Sequence, residues 1–502
     1  MTALPLADTA VFVRRFLADY WRNPVNLLVL VLVPVVFVVV AAGPMADAAK
    51  LLGGTGLSVE TATAGWAAGF LAGIAMYFQT RAARAADRRL ILAGLPAPRL
   101  VTARLLTGLA LASLAAAAAL FALATRSGID EPGRVIAGTA MFAVVYLAIG
   151  ALVGVLVRSP VNGTVLILFV WIVDVFFGPA LGSPDRIETR WLPTHFVTLW
   201  MVDLPSRHGG RLGDLGWGLT WTLGALVIAA LVVTATTRVA HARHRTRTGS
   251  VVDQVVAGLR MGLRDYRRNP VLWVLLIVVP VIFIWLSKVI TPEQTTTLSL
   301  VEDGRPVTPT FWLPDVHAGT MTPIAIASLA ALAGLFIVLD ARTGDQRLAL
   351  AGFRVPALLT ARLGVVAAAV LLTTAASLVV TAAVFDAHQW GVFIAANLLL
   401  AATYALLGVC LGPIFGRVSG VFIAFLIPFL DLGIGQSPML RTEPPAWAQA
   451  LPGYGAYRVL LDGGLTDHFD ETGPLLLGLA WLAVLGVLAT VLFRSTSSQR
   501  SA

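Results

Sequence analysis

Two aspartates stand inside runs that are otherwise apolar, Asp174 in WIVDVFFG and Asp431 in PFLDLGIG. Ionisable groups at membrane depth are costly to bury and mark proton relays, transport paths or structural ties. Two chemistries fit: a carboxylate that takes up a proton during transport, or one that accepts hydrogen bonds from backbone at the end of a span. Counting from Arg158 and Arg417 puts each aspartate toward the far end of its run. Pro193 and Pro452 follow in matching Leu-Pro pairs, and with the two aspartates they mark a candidate pathway or outer gate. The seven histidines show no ligand spacing and Cys410 is the only cysteine, so no metal site, intrachain disulfide or catalytic constellation is expected.

The elements that must position these residues follow from composition. Of 502 residues, 58% are hydrophobic and 13% charged, with a mean hydropathy of +0.84, too apolar for a soluble chain. About twelve runs are long enough to cross ~30 Å of hydrocarbon as helices. They lie near 25–42, 64–80, 100–124, 135–157, 162–180 and 217–237, then 271–290, 322–340, 358–385, 391–415, 420–434 and 474–493. The net charge of +9 does not form a basic domain. With a cytoplasmic N-terminus, most arginines fall on the cytoplasmic side, as the positive-inside rule requires, and nucleic acid is not an expected partner.

The chain repeats itself. DYWRNPV (19–25) returns as DYRRNPV (265–271), with Asn23 and Asn269, Pro24 and Pro270, Pro34 and Pro280 all 246 apart. DRRLILAGLPAPRLVTAR (87–104) returns as DQRLALAGFRVPALLTAR (345–362) at an offset of 258, which also relates Tyr146, Gly150 and Gly154 to Tyr404, Gly408 and Gly412. The offset grows between these points, so the loop at 43–63 is expected to be shorter than 291–321, where a small hairpin should turn at Glu302–Gly304. The expected organisation is two parallel six-span halves, 1–240 and 253–502, joined by a basic linker at 241–252 and related by a pseudo-twofold axis along the membrane normal.

Two repeated phrases precede or connect the spans. Before each first span, apolar and aromatic residues alternate with arginines at helical spacing, then Asn-Pro breaks the helix. Tyr20, Asn23 and Pro24, and Tyr266, Asn269 and Pro270, thus define an interfacial helix with an elbow. Between the second and third spans of each half, acid-x-Arg-Leu-x-Leu-Ala-Gly followed by proline reads as a short docking helix on the cytoplasmic side. Its residues are Asp87, Arg88, Leu90, Leu92, Gly94 and Pro98, and Asp345, Arg347, Leu348, Leu350, Gly352 and Pro356.

Together these features resemble the membrane subunit of type-2 ABC exporters, with two six-span halves fused in one chain. The resemblance implies an all-α polytopic membrane protein with amphipathic elbow helices, coupling helices at the two docking phrases, and re-entrant helices at 191–203 and 450–462. It implies a separate ABC ATPase subunit, in two copies, that binds ATP and Mg. This chain has no G-x-x-x-x-G-K-[ST], and the GGTG at 53–56 has no lysine after it, so it is not expected to be an enzyme or to hold a cofactor. The expected setting is the bacterial inner membrane with both termini cytoplasmic, surrounded by lipid, and the expected cargo a hydrophobic drug, antibiotic or lipid leaving the cell. The two docking surfaces should differ, since Ala357 replaces Arg99 and Arg354 replaces Pro96. Two other classes compete: a proton-coupled secondary transporter using Asp174 and Asp431, and a polytopic membrane enzyme. The first leaves the repeated phrases unexplained, and the second needs a cluster of acids or histidines where the outer acids are scattered.

Overall fold

The computed structural model describes residues 5–22, 24–51, 56–92, 95–157, 159–181, 187–204, 207–236, 255–256, 259–260, 270–350 and 355–498. Two compact units organise the chain, Met1–Arg243 and His244–Ala502. The linker 241–252 lies outside the described residues, as do Asn23, Gly94, Tyr266, Asn269 and Gly352.

The first unit contains α1 (Pro5–Trp21), α2 (Pro24–Leu51), α3 (Gly56–Leu92), α4 (Ala97–Arg126), α5 (Pro132–Leu156), α6 (Pro160–Phe177), the short α7 (His195–Met201) and α8 (Leu212–Thr236). The second contains α9 (Pro270–Ile290), α10 (Leu313–Leu350), α11 (Val355–Val384), α12 (Trp390–Pro428), α13 (Tyr454–Leu465) and α14 (Thr472–Ser498). Pro24, Pro132, Pro160 and Pro270 each open a helix, where the missing N–H costs nothing and φ is already helical. Among the described residues, ten helices are long and apolar enough to cross a membrane, and α9 adds the shorter Val274–Val289. One of the ten, Trp390–Gly435, is 46 residues long and holds both runs expected at 391–415 and 420–434. It breaks at Gly416, whose φ of 68° and ψ of −159° suit glycine and interrupt the helix. The break falls at the position matching residue 158, between α5 and α6 of the first unit. The chain is therefore an all-α polytopic membrane protein.

Several helix boundaries differ from expectation. In α2 and α3, alanine-rich flanks keep the backbone helical after the apolar window ends. The loop expected at 43–63 is mostly helix, with α2 running to Leu51 and α3 starting at Gly56. The second span, expected at 64–80, belongs to the 37-residue α3, and its counterpart α10 has 38 residues.

The hairpin forms where expected. Strands β2 (Leu300–Glu302) and β3 (Arg305–Val307) pair antiparallel with Glu302 opposite Arg305. Asp303 (φ 51°) and Gly304 (φ 70°) make the two-residue turn, whose positive φ values match the twist of a tight hairpin. Outside it, β1 (Thr295–Thr297) pairs with β4 (Thr310–Trp312).

Both units share one close helix crossing. Tyr146, Gly150 and Gly154 share a face of α5, four residues apart, and that face packs on α3. A β-carbon at Gly150 would overlap the Gly73 carbonyl, and one at Gly408 would overlap the Ala331 carbonyl on α10. Ala331 matches Gly73 at the same offset of 258, so both units use small residues to bring backbones together where lipid supplies no hydrophobic drive. Replacing Gly150 or Gly408 with leucine should cost ~1–3 kcal/mol or more through overpacking. Melting of the purified chain should show the loss, whereas Gly216→Ala on α8, where a β-carbon meets nothing within 4 Å, should leave it unchanged.

Candidate functional site

The docking phrases are the ends of long helices, not separate short ones. Asp87–Leu92 form the last turns of α3, and α4 restarts at Ala97 with Pro98 in its first turn. The Leu95 N–H donates to the Leu90 carbonyl at 3.0 Å, closing the end of α3. In the second unit Asp345–Leu350 end α10, and Val355-Pro356 open α11.

Each turn is locked by an ion pair between phrase ends. Arg104 Nη2 lies 2.7 Å from Asp87 Oδ1 and its Nε 3.3 Å from Oδ2. Arg362 Nη2 lies 2.7 Å from Asp345 Oδ1, with its Nε 3.1 Å from Oδ2. All four side chains are largely buried. A forked guanidinium–carboxylate contact fixes direction as well as distance, so each pair sets the angle between two spans. Asp87 and Asp345 are thus committed to their own turns. Leu348 packs on the core of its own unit together with Leu363. Leu90 and Arg88 are half-buried, Arg347, Pro98 and Pro356 are exposed, and the side chains of Leu92 and Leu350 lie outside the described residues. Arg99 is exposed whereas its counterpart Ala357 is buried, so the two turns differ at this position.

The helix before the first span, α1, reaches the same lock. Arg104 stacks over the Phe16 ring of α1, 3.6 Å from its centroid, and Phe12 lies 6.1 Å from Phe16. Burial pushes the Tyr20 phenol up to about 12, with the Arg104 charge pulling it back, so the hydroxyl stays neutral at physiological pH. Trp21, the last residue of α1, remains 79% exposed. In the second unit Leu259, from the stretch before α9, packs on the core that holds Leu348 and Leu363.

At the opposite ends of the bundles sit the buried aspartates. Asp174 Oδ2 accepts from the Tyr146 hydroxyl and the Thr194 hydroxyl, both at 2.7 Å, and Oδ1 accepts from the Thr194 N–H at 3.3 Å. Thr194 is the residue before α7. Asp431 accepts from the Tyr404 hydroxyl at 2.5 Å, the Gly453 N–H at 2.8 Å and the Gln436 amide at 3.1 Å. Gly453 is the residue before α13. Pro193 and Pro452 stand one residue earlier, so each Leu-Pro pair delivers a free N–H to the carboxylate. Both carboxylates therefore sit at a short helix's N-terminus, where N–H groups lack partners and the dipole favours negative charge. Each ties three elements: the glycine-faced helix through tyrosine, the fifth span, and the short helix.

Residues 62–238 match the family model for the ABC-2 family transporter protein. The matched stretch lies within the first unit and is similar to ABC-2 transporter membrane domains. The match, with the many apolar helices, supports a membrane subunit of an ABC transporter. No curated protein matches the chain.

A further asymmetry of this permease escaped residue-by-residue reading of the sequence. In the second unit, hydroxyls and one imidazole line the contacts among α9, α10 and α11. Thr291 and His317 Nδ1 are 2.5 Å apart, and the hydroxyls of Thr322 and Thr381 are 2.7 Å apart. Ser377 and Thr381 donate to carbonyls one turn earlier in the same buried stripe. At the matching positions of the first unit stand Met45, Val59, Ala64, Ala119 and Leu123. Only a position-by-position comparison of the halves reveals it.

Asp174→Ala should destabilise the permease by roughly 1–3 kcal/mol for each donor stranded in apolar surroundings. Asp174→Asn, which retains one carbonyl acceptor, should cost less. Thermal melts of both variants, with Tyr146→Phe as reference, check the ranking. Equal melting of Ala and Asn variants with wild type would show that the carboxylate is not a tie.

Proposed function

We propose that this chain is the membrane subunit of an ABC exporter that moves a hydrophobic small molecule, such as a drug, antibiotic or lipid, out of a bacterial cell. A separate ATPase, in two copies, binds ATP and Mg and supplies the energy. The permease resides in the inner membrane with both termini in the cytoplasm. The observation that carries this reading is the Asp–Arg-locked turn, present twice, at one end of each unit of an ABC-2 permease. Its exposed rim faces the ATPase, and its buried pair passes movement into two spans at once.

The lever runs from the turn. A continuous helix of α3 or α10 length covers ~55 Å at 1.5 Å per residue, with Pro323 inside α10. Displacing its docking end tilts the whole rod, because the Arg104 or Arg362 fork resists bending at the turn. The glycine crossing passes the tilt to α5 or α12. The aspartate ties then carry it to α7 or α13 at the outer face. In this role Asp174 and Asp431 hold elements together. The secondary-transporter reading would need those carboxylates to gain and lose protons during each cycle, at the cost of the short helices they hold.

Co-expression with the cognate ATPase tests the proposal. Leu90→Asp combined with Arg99→Glu should weaken ATPase capture by about tenfold or more, since one buried leucine is worth ~1.5–3 kcal/mol. The spans should still insert, because these positions flank the hydrocarbon. Full ATPase capture and full substrate-stimulated hydrolysis by this variant would exclude the first turn from the motor interface. Substrate flux driven by a proton gradient without ATP would replace the exporter reading with the secondary transporter.

A further inference from the structure

The second unit contains a shallow cleft, open to its surroundings, between α10, α12 and α14. Its lining divides cleanly by chemistry. Val338, Leu339, Pro413 and Phe493 make apolar walls, while Arg342, Asp345 and Gln346 lie toward the docking end of α10. Residues 338, 342, 345 and 346 recur at helical spacing and share one face. Asp345 is already neutralised by Arg362 at 2.7 Å. Arg342 makes no hydrogen bond or ion pair among the described residues, which leaves one cation and one amide at the mouth of an apolar cleft.

The first unit shows why this arginine is free. Its counterpart Arg84 donates to the Val155 carbonyl, and Arg81 donates to the Val157 carbonyl at 3.4 Å. Those carbonyls are the unsatisfied end of α5, which stops at Leu156. In the second unit Pro413 occupies the position of Val155, Leu339 that of Arg81, and α12 remains helical until its break at Gly416. The arginine is retained, but its carbonyl partner is not.

We propose that this pocket binds the phosphate headgroup of an anionic phospholipid, with an acyl chain along Val338, Leu339, Pro413 and Phe493. Depth favours a lipid over a soluble anion. The apolar span of α10 ends at Arg342, the level at which a headgroup begins. Basic pockets between spans at that level bind acidic headgroups, the guanidinium supplying charge and directed N–H donors. Occupancy would place the headgroup beside the Asp345–Arg362 lock and link bilayer composition to the second docking turn. In the first unit the matching Arg84 is engaged by the Val155 carbonyl, so among the described residues the lipid effect acts on the second half. The proposal does not depend on transport direction or cargo.

The test uses the full-length chain in mixed micelles containing dioleoylphosphatidylglycerol or dioleoylphosphatidylcholine, with retained lipid counted by native mass spectrometry. Wild type should retain phosphatidylglycerol in preference to phosphatidylcholine. Arg342→Gln should lower phosphatidylglycerol retention about tenfold. Arg347→Gln, which removes an exposed charge outside the pocket on the same helix, should leave it unchanged. Phe493→Ala should lower retention of phosphatidylglycerol while leaving the headgroup preference intact. Retention by Arg342→Gln equal to wild type, or an equal fall in Arg347→Gln, would overturn the site. Displacement of the lipid by inorganic phosphate alone would overturn its assignment to a lipid.

Discussion

The close crossing of α3 with α5, repeated as α10 with α12, is the constraint on which the rest of each unit depends. A missing β-carbon at Gly150 or Gly408 brings two backbones into contact. That contact decides which face of α5 or α12 is turned inward, and tyrosine lies one turn along the same face. Tyr146 and Tyr404 can then reach buried carboxylates that would otherwise be stranded in hydrocarbon. The carboxylates in turn hold the starts of α7 and α13. One steric requirement thus propagates across the unit through a hydroxyl and a carboxylate.

The turns between α3 and α4 and between α10 and α11 obey a different logic. A loop between two spans would ordinarily be free to vary, yet both turns keep an acid and an arginine seventeen residues apart. The buried fork costs desolvation and needs good geometry to repay it, so its value lies in fixing one arrangement rather than in added stability. A fixed turn can transmit a push, and a loose one absorbs it. The Phe16 ring under Arg104 adds α1 to the same joint in the first unit.

Much of the fold was legible in the sequence because hydrocarbon demands long apolar helices, and duplication supplied a second reading of each element. The runs, the elbow proline, the hairpin turn at Asp303–Gly304 and the matched aspartates all follow from composition and register. Helix ends were less legible, because alanine-rich TRAARAADRR carries no apolar signal yet continues α3. For the same reason Asp87 and Asp345 read as partner-facing residues, although a long helix rotates them onto Arg104 and Arg362. The pocket at Arg342 was invisible for another reason. It arises from a lost carbonyl partner, and a sequence shows side chains but not which backbone groups remain unsatisfied. The hydroxyl stripe of the second unit was legible only as a difference between the halves.

The central claim is that two locked turns on one chain are the contact points for a motor. Single-cysteine cross-linking addresses it most directly, because Cys410 is the only native cysteine and Cys410→Ala clears the background. Cysteine introduced at Arg99 or at Arg347, both exposed, would be joined by a short thiol–amine cross-linker to the co-expressed ATPase. Adducts at both positions in a transport-competent complex, and none at a control cysteine replacing Gly304 in the hairpin, are the predicted result. A complex that transports while neither turn cross-links would contradict it.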